Sequence, residues 1–365
     1  MSKTKWYFRR HCERSVAILL ALALVLSLGI VAVPMAGTVE ASPDDWYVDE
    51  ALGTDDGTHG TGPGADAFKT IQYAIDDSRV IDGDTINVAA GTYDEQVVIQ
   101  KDLKLQGAGD TTIIKPSQAT ANAFTLVKRK PTDATGKVAA PIVAHAIGSS
   151  VTVKDLKVDG SLINTIPTPG GSLNGVFYSG TGGVIDNVTV VNMSAAEAGD
   201  SSKKMGNAIY IAGFAETQTV EVKNCHVSSY FKGGITGNYG DLTANFHDNI
   251  VTGRGLESSA SQNGIQIAFG ATGTIKDNAV TASSTSTEWD ATGILVYQSS
   301  ATVEGNNVNG CEEGISFNGG WDSYGIPGPF TIIIKDNIVD SSSAELGAGK
   351  AAKGISGFLG QNGSA

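Results

Sequence analysis

The sequence predicts an all-β protein, a single-stranded parallel β-helix (solenoid) in which each turn of chain stacks on the one before. Three observations predict it. The 365 residues include 46 glycines, only 10 prolines and many Ser, Thr, Asn and Asp, a mixture suited to short strands and tight turns. Long helical periodicity is nearly absent. One short template recurs seven times.

The template is read from "VTVKDLKV" (151–158), "GVIDNVTV" (183–190), "VEVKNCHV" (220–227), "NFHDNIV" (245–251), "TIKDNAV" (274–280), "TVEGNNV" (302–308) and "IIKDNIV" (333–339). Each copy opens on an apolar residue, from Val153 and Ile185 to Ile334. Three residues later comes a slot: Leu156, Val188, Cys225, Asn249, Asn278, Asn306, Asn337. Two further on is a valine, from Val158 to Val339. The slots are 32, 37, 24, 29, 28 and 31 residues apart, about one solenoid turn each. Just before the slot stand Asp155, Asn187, Asn224, Asp248, Asp277, Gly305 and Asp336, the residue types that tolerate a left-handed backbone. The chain is therefore expected to bend there through one left-handed residue. Four consecutive Asn slots predict an asparagine ladder inside the later coils.

A second strand comes after each bend: "GVFY", "AIYI", "GITG", "GIQI", "GILV", "GISF" and "GISG". Alternation points Val176, Ile209, Ile235, Ile265, Ile294, Ile315 and Ile355 inward. The template also reads "FHDNIVTGRG" (246–255). Its His247 and Asp248 look like a catalytic pair, but Asp248 is the corner residue and Asn249 the ladder residue, so the pair is pattern. Arg254 lies outside the template, and a loop salt bridge with Glu257 accounts for it. Cys225 fills a stacking slot as a small buried apolar residue. Cys311 sits in another register three coils on, too far for a bridge to Cys225.

The N-terminus has the features of an export signal. Lys3, Lys5, Arg9, Arg10 and Arg14 precede an apolar run from Val16 to Val33, and "VEA" (39–41) offers a cleavage point before Ser42. The alternative is an uncleaved anchor, since the run is long enough to span a bilayer. Either way the rest of the chain is expected outside the cytoplasm, secreted or at the cell surface. Removing residues 1–41 takes five of the 25 basic and two of the 38 acidic residues, leaving 20 against 36. Such an acidic chain argues against nucleic acid and anionic membranes as partners. Only Arg79, Arg129 and Arg254 remain, so an acidic polysaccharide would need metal ions or lysines to hold it. Residues 42–67 lead into the coil. Residues 68–81 are expected to form a capping helix, with Ile71, Ala74 and Ile75 on one face, over the first coil. Residues 82–365 form the solenoid, whose C-terminal end has no capping segment; a monomer is expected.

"WYVDEALGTDDGTHGTGPGADAFKTIQYAI", then "GDTINVAAGTYDEQVVI" and "LKLQGAG", resemble the opening of pectin-lyase-like right-handed β-helix proteins, a group that includes pectin methylesterases, one class of pectate lyases and many secreted repeat proteins. The resemblance covers about 70 residues in detail. It implies a right-handed coil and leaves the activity open, because the fold hosts many functions. The methylesterase aspartates stand in Gln-Asp and Asp-Phe contexts, and neither dipeptide occurs here. Polygalacturonase-like Gly-His-Gly and Arg-Ile-Lys are missing too. The outward rows of the second strand, Phe177, Tyr210, Thr236, Gln266, Leu295, Ser316 and Ser179, Ala212, Asn238, Ala268, Tyr297, Asn318, carry no carboxylate, lysine or arginine. A calcium-dependent lyase site would need clustered carboxylates and a base.

The candidate site is carbohydrate-binding: Trp289, Asp290, Tyr297, Trp321, Asp322 and Tyr324, aromatics beside carboxylates in the variable loops, suited to stacking on a sugar ring while bonding its hydroxyls. The alternative for Trp289 and Trp321 is that they fold back as loop anchors. No catalytic residue is assigned. Calcium is conceivable at Asp49, Asp55 and Asp56, although their spacing is not that of a calcium loop. Three readings remain: an exported protein binding an extracellular or cell-envelope glycan; a polysaccharide lyase or pectin esterase-like enzyme on acidic polysaccharide; and a structural surface repeat.

Overall fold

The computed structural model describes residues 44–129, 137–166, 171–197, 200–257, 259–319, 326 and 328–358. The proposed export segment 1–41 and the candidate residues Trp321, Asp322 and Tyr324 lie outside them.

Among the described residues the strands form two long sheets, of 17 and 13 strands, in which nearly every pairing is parallel and joins one coil to the next. The chain is a parallel β-helix. The template sets the register of the first sheet: Val153, Ile185, Val222, Phe246, Ile275, Val303 and Ile334 are successive partners. So are the valines from Val158 to Val339. In the second sheet Val176 to Ile355 stack in the same way. From Val176 to Ile315 this row is completely buried, and Ile355 is 54% exposed. Each such Val or Ile removed from water stabilises by about 1.5–3 kcal/mol.

The corner residues adopt the expected conformation. Asp155, Asn187, Asn224, Asp248, Asp277 and Asp336 have φ between 53° and 57°, and Gly305 has 68°. After each of the later corners the asparagine turns inward. The Nδ2 of Asn249 donates to Asn278 Oδ1 (2.9 Å), that of Asn278 to Asn306 Oδ1 (2.9 Å), and that of Asn306 to Asn337 Oδ1 (2.8 Å). The same oxygens accept the backbone N–H of the preceding rung, and Asn249 extends this to the N–H of Cys225 at 3.0 Å. A slot without a side-chain amide therefore meets the ladder without an orphan donor. Cys225 is fully buried and its thiol is pushed up to about 12 by desolvation. Both described cysteines are free.

At the N-terminal end Asp45–Val48 pairs in parallel with Thr85–Val88. The capping helix forms but is shorter than expected, Ile71–Asp76 rather than 68–81. Asp77 ends it: its carboxylate accepts from Arg79 N and from the Arg79 guanidinium, a local turn that competes with the next helical hydrogen bond. Thr70 caps the start, and Glu95 accepts from the N–H groups of Ile71 and Gln72. Ile71, Ala74 and Ile75 face the core as read from the sequence. Strands Thr85–Val88, Gly91–Tyr93, Val97–Ile99 and Lys104–Gln106 then begin the coil.

Replacing Asn278 by Ala leaves the buried Asn249 N–H and the carbonyls of Phe246 and Lys276 without their partner. The expected loss is about 2–4 kcal/mol, against about 1 kcal/mol for Cys225→Ala, read from denaturant midpoints. Equal losses at the two slots would show that the ladder stabilises no more than an apolar stack.

Candidate functional site

His247 and Asp248 behave as the template requires, and Arg254 makes the loop contact expected of it. His247 Nδ1 contacts Asp248 Oδ2 at 2.7 Å and Nε2 contacts Glu221 Oε1 at 2.9 Å, all on the open face of the first sheet. Partial burial opposes the charge of His247, but the two carboxylates outweigh it and its pKa is raised. Arg254 lies 3.8 Å from Glu257, donates to Ser194 Oγ and packs over the ring of Phe231. These are surface and loop contacts. Asp49, Asp55 and Asp56 are likewise occupied by nearby backbone N–H groups. Among the described residues no three His, Cys, Asp or Glu side chains converge as metal ligands.

A groove of about 460 Å³ lies on the outward face of the second sheet. Its position is set by the coil. Outward side chains of consecutive strands form a row, and Val143, Phe177, Tyr210, Thr236, Gln266 and Leu295 are successive partners. This row is not open along its whole length. Lys137–Ala139 joins that sheet beside Ser172 and Leu173, and Val127–Lys128, paired antiparallel with it, covers the first coils. There Val138, Ala140, Val143 and Phe177 form a second small core outside the coil. Phe177 is therefore fully buried and stacks on Tyr210 (5.6 Å between centroids). The groove begins where this cover stops, beside Arg129 and Tyr210.

One wall is aromatic. Tyr239 and Phe269 stand directly after their strands in left-handed conformations, with φ of 77° and 58°. That conformation is costly for bulky residues, and here it turns both rings onto the same face. They stack at 5.8 Å, and Tyr297 packs against Phe269 at 5.4 Å. The floor is a chain of amides. Asn263 donates to Gln266 Oε1 (2.8 Å), Gln266 to Asn238 Oδ1 (2.9 Å), and Asn238 to the Tyr210 hydroxyl (3.3 Å). Burial holds the Tyr210 phenol neutral, its pKa raised well above the ordinary value. Among the described residues no carboxylate lines this groove, and the charged residues that do are Lys232 and Arg129.

Of the residues expected at the site, Tyr297 is in the groove. Trp289 and Asp290 precede the strand Thr292–Tyr297 and so lie at its other end, about 20 Å along at strand rise. Trp289 does not fold back: it is 70% exposed. Its backbone is held instead. Lys350 Nζ donates to Trp289 O at 2.6 Å, and Thr287 Oγ1 bonds both Trp289 O and Ser261 Oγ. Ser261 in turn accepts from Lys232, so the Trp289 loop is continuous with the groove wall. Asp290 is engaged by Lys350 and Lys353 at 3.2 and 2.7 Å. Lys350 also lies 2.8 Å from the buried Glu312, off the direction of a good hydrogen bond, as a charge contact. Asp290 thus serves the loop rather than offering an open carboxylate. Lys232, Arg129, Tyr239 and Phe269 were not expected. The aromatic pair had a signal, since "GITGNY" and "GIQIAF" place a ring at one offset after the strand.

No family model matches the chain, and no curated protein does. Solved structures do resemble it. The pectin methylesterase PemA from Erwinia chrysanthemi is 12% identical over 86% of this chain and 93% of that one, with a TM-score of 0.46. The GH136 lacto-N-biosidase from Eubacterium ramulus is 10% identical over 87% and 67%, at 0.45. The Azotobacter vinelandii mannuronan C-5 epimerase AlgE6 A-module is 17% identical over 76% and 73%, at 0.40. The fold assignment rests on the pairing register given above.

The His247 contacts carry a testable pH dependence. A raised histidine pKa means that their stabilisation is complete below the ordinary value of about 6.5 and is lost as pH rises through the folded value. Exposure keeps the effect below about 1 kcal/mol. Urea midpoints at acid and alkaline pH should diverge less in His247→Gln than in the parent; an unchanged difference would remove His247 as the cause.

Proposed function

We propose that the chain is an exported protein that binds extracellular or cell-envelope carbohydrate along the groove of the second sheet, with Trp289 as a rim platform. The observation that carries this reading is the pairing of an aromatic wall with a pre-bonded amide floor. Sugar rings present apolar C–H faces and a fringe of hydroxyls, and this lining offers flat apolar surface and side-chain amides to match. The amides are already oriented by one another, so little ordering is needed on binding. The groove is open at the surface and long enough for several sugar units, which suits a chain more than a monosaccharide.

Catalysis finds less support. Ester hydrolysis or metal-assisted lyase chemistry needs carboxylates in the site, and among the described residues none lines the groove. The export segment 1–41 is read from its sequence, and N-terminal sequencing of the secreted chain, expected to begin at Ser42, checks it.

The test is glycan-array binding followed by calorimetric titration of the best ligand. Phe269→Ala and Trp289→Ala should each weaken it about tenfold or more, since exposed or groove-lining aromatics that contact ligand are commonly worth about 1–2 kcal/mol. Unsaturated product appearing in an absorbance assay on polyuronates would replace the binding reading with a lyase. Binding unaffected by both substitutions would move the site elsewhere.

A further inference from the structure

Three lysines of the first sheet pair with carboxylates at short range: Lys154 with Asp155, Lys223 with Glu221, Lys335 with Glu304. Lys232 does not. Its ammonium donates to the carbonyl oxygen of Ser261 at 2.7 Å, and among the described residues it forms no ion pair. An ammonium has three donors, and a single neutral carbonyl leaves its charge uncompensated. Burial of its surroundings pushes its pKa below the usual lysine value, the mark of a cation short of a counter-charge.

The sequence around it holds it there. Tyr230 and Phe231 before it are buried, and Gly233 after it starts the strand. At Gly233 a Cβ would lie 2.6 Å from Asn207 Oδ1 and 2.7 Å from Thr236 Oγ1, so only glycine lets the groove floor come this close. Lys232 is therefore set at the groove wall by a rigid strand start, beside the amide of Asn263. In a chain with 38 acidic residues, a groove whose described lining holds the Lys232 ammonium and no carboxylate is a local reversal of sign. Low-dielectric walls focus such a field on whatever enters.

We propose that Lys232 is an anion-binding point of the groove, and that the saccharide it selects carries an anionic group, a uronate carboxylate or a sulfate ester, which the ammonium contacts directly without a bridging cation. This rests on the groove's being a carbohydrate site, and the experiment separates the two. Galacturonate, guluronate and glucuronate hexasaccharides, their methyl esters, and a sulfated and an unsulfated neutral hexasaccharide are titrated into the full chain in EDTA.

The expected result is at least tenfold tighter binding of one anionic member than of its neutral counterpart. Lys232→Met should abolish that preference, with its near-UV circular dichroism and urea midpoint showing the variant to be folded. Lys232→Arg should retain it. The carboxylate and sulfate arms identify which anion is taken. Equal binding of acid and ester, or a preference that survives in Lys232→Met, overturns the anion point and leaves the groove reading standing. A preference that appears only when calcium is restored overturns direct contact. No binding of any member, charged or neutral, overturns the groove reading itself.

Discussion

Each coil hydrogen-bonds to the next along its strands, and that single constraint governs the rest of the molecule. In-register parallel pairing forces equivalent residues to lie directly above one another. A coil can then vary only where the stack tolerates variation. The bend inside each turn must fall at the same place and use a left-handed residue, and so Asp, Asn or Gly recurs at seven corners. The residue after each corner must fill the same space as its counterpart one coil earlier. Aliphatic side chains do so in the early coils, and asparagine does so in the later ones by bonding its neighbours on both sides.

The same constraint makes the outer face a set of rows, and the groove is built from them. Amides one coil apart come within bonding distance because their strands are paired, and rings at equal offsets stack for the same reason. The site is thus continuous with the scaffold, on strands rather than on loops, which suits a surface that must be held in place before a ligand arrives. The loops add to it at the end where Trp289 stands. There the charges of Lys350, Lys353, Asp290 and Glu312 fix the loop backbone and leave the indole projecting.

Charge is distributed by the same rule of position. On the first sheet, lysines and carboxylates alternate and neutralise one another near the corners. The histidine that looks catalytic in "FHDNIVTGRG" belongs to this pattern. In the second sheet's groove the described lining holds Lys232 and Arg129 and no carboxylate.

The sequence by itself determined the coil: its repeat, its left-handed corners, the ladder of Asn249, Asn278, Asn306 and Asn337, the inward rows and the slot role of Cys225. These are periodic consequences of stacking, so the chain repeats their signal from coil to coil. It also placed Tyr297 outward and showed the second-strand rows free of carboxylates. Only the tertiary structure decided which part of that face is open. The segment around Val127 and Val138 covers Phe177 from a distance in sequence that no period reveals. Lys232 and Arg129 join the groove from outside the rows, and Asp290 is claimed by lysines 60 and 63 residues away. Such contacts occur once. A singular long-range meeting leaves no repeated signal along the chain, and only folding brings its partners together.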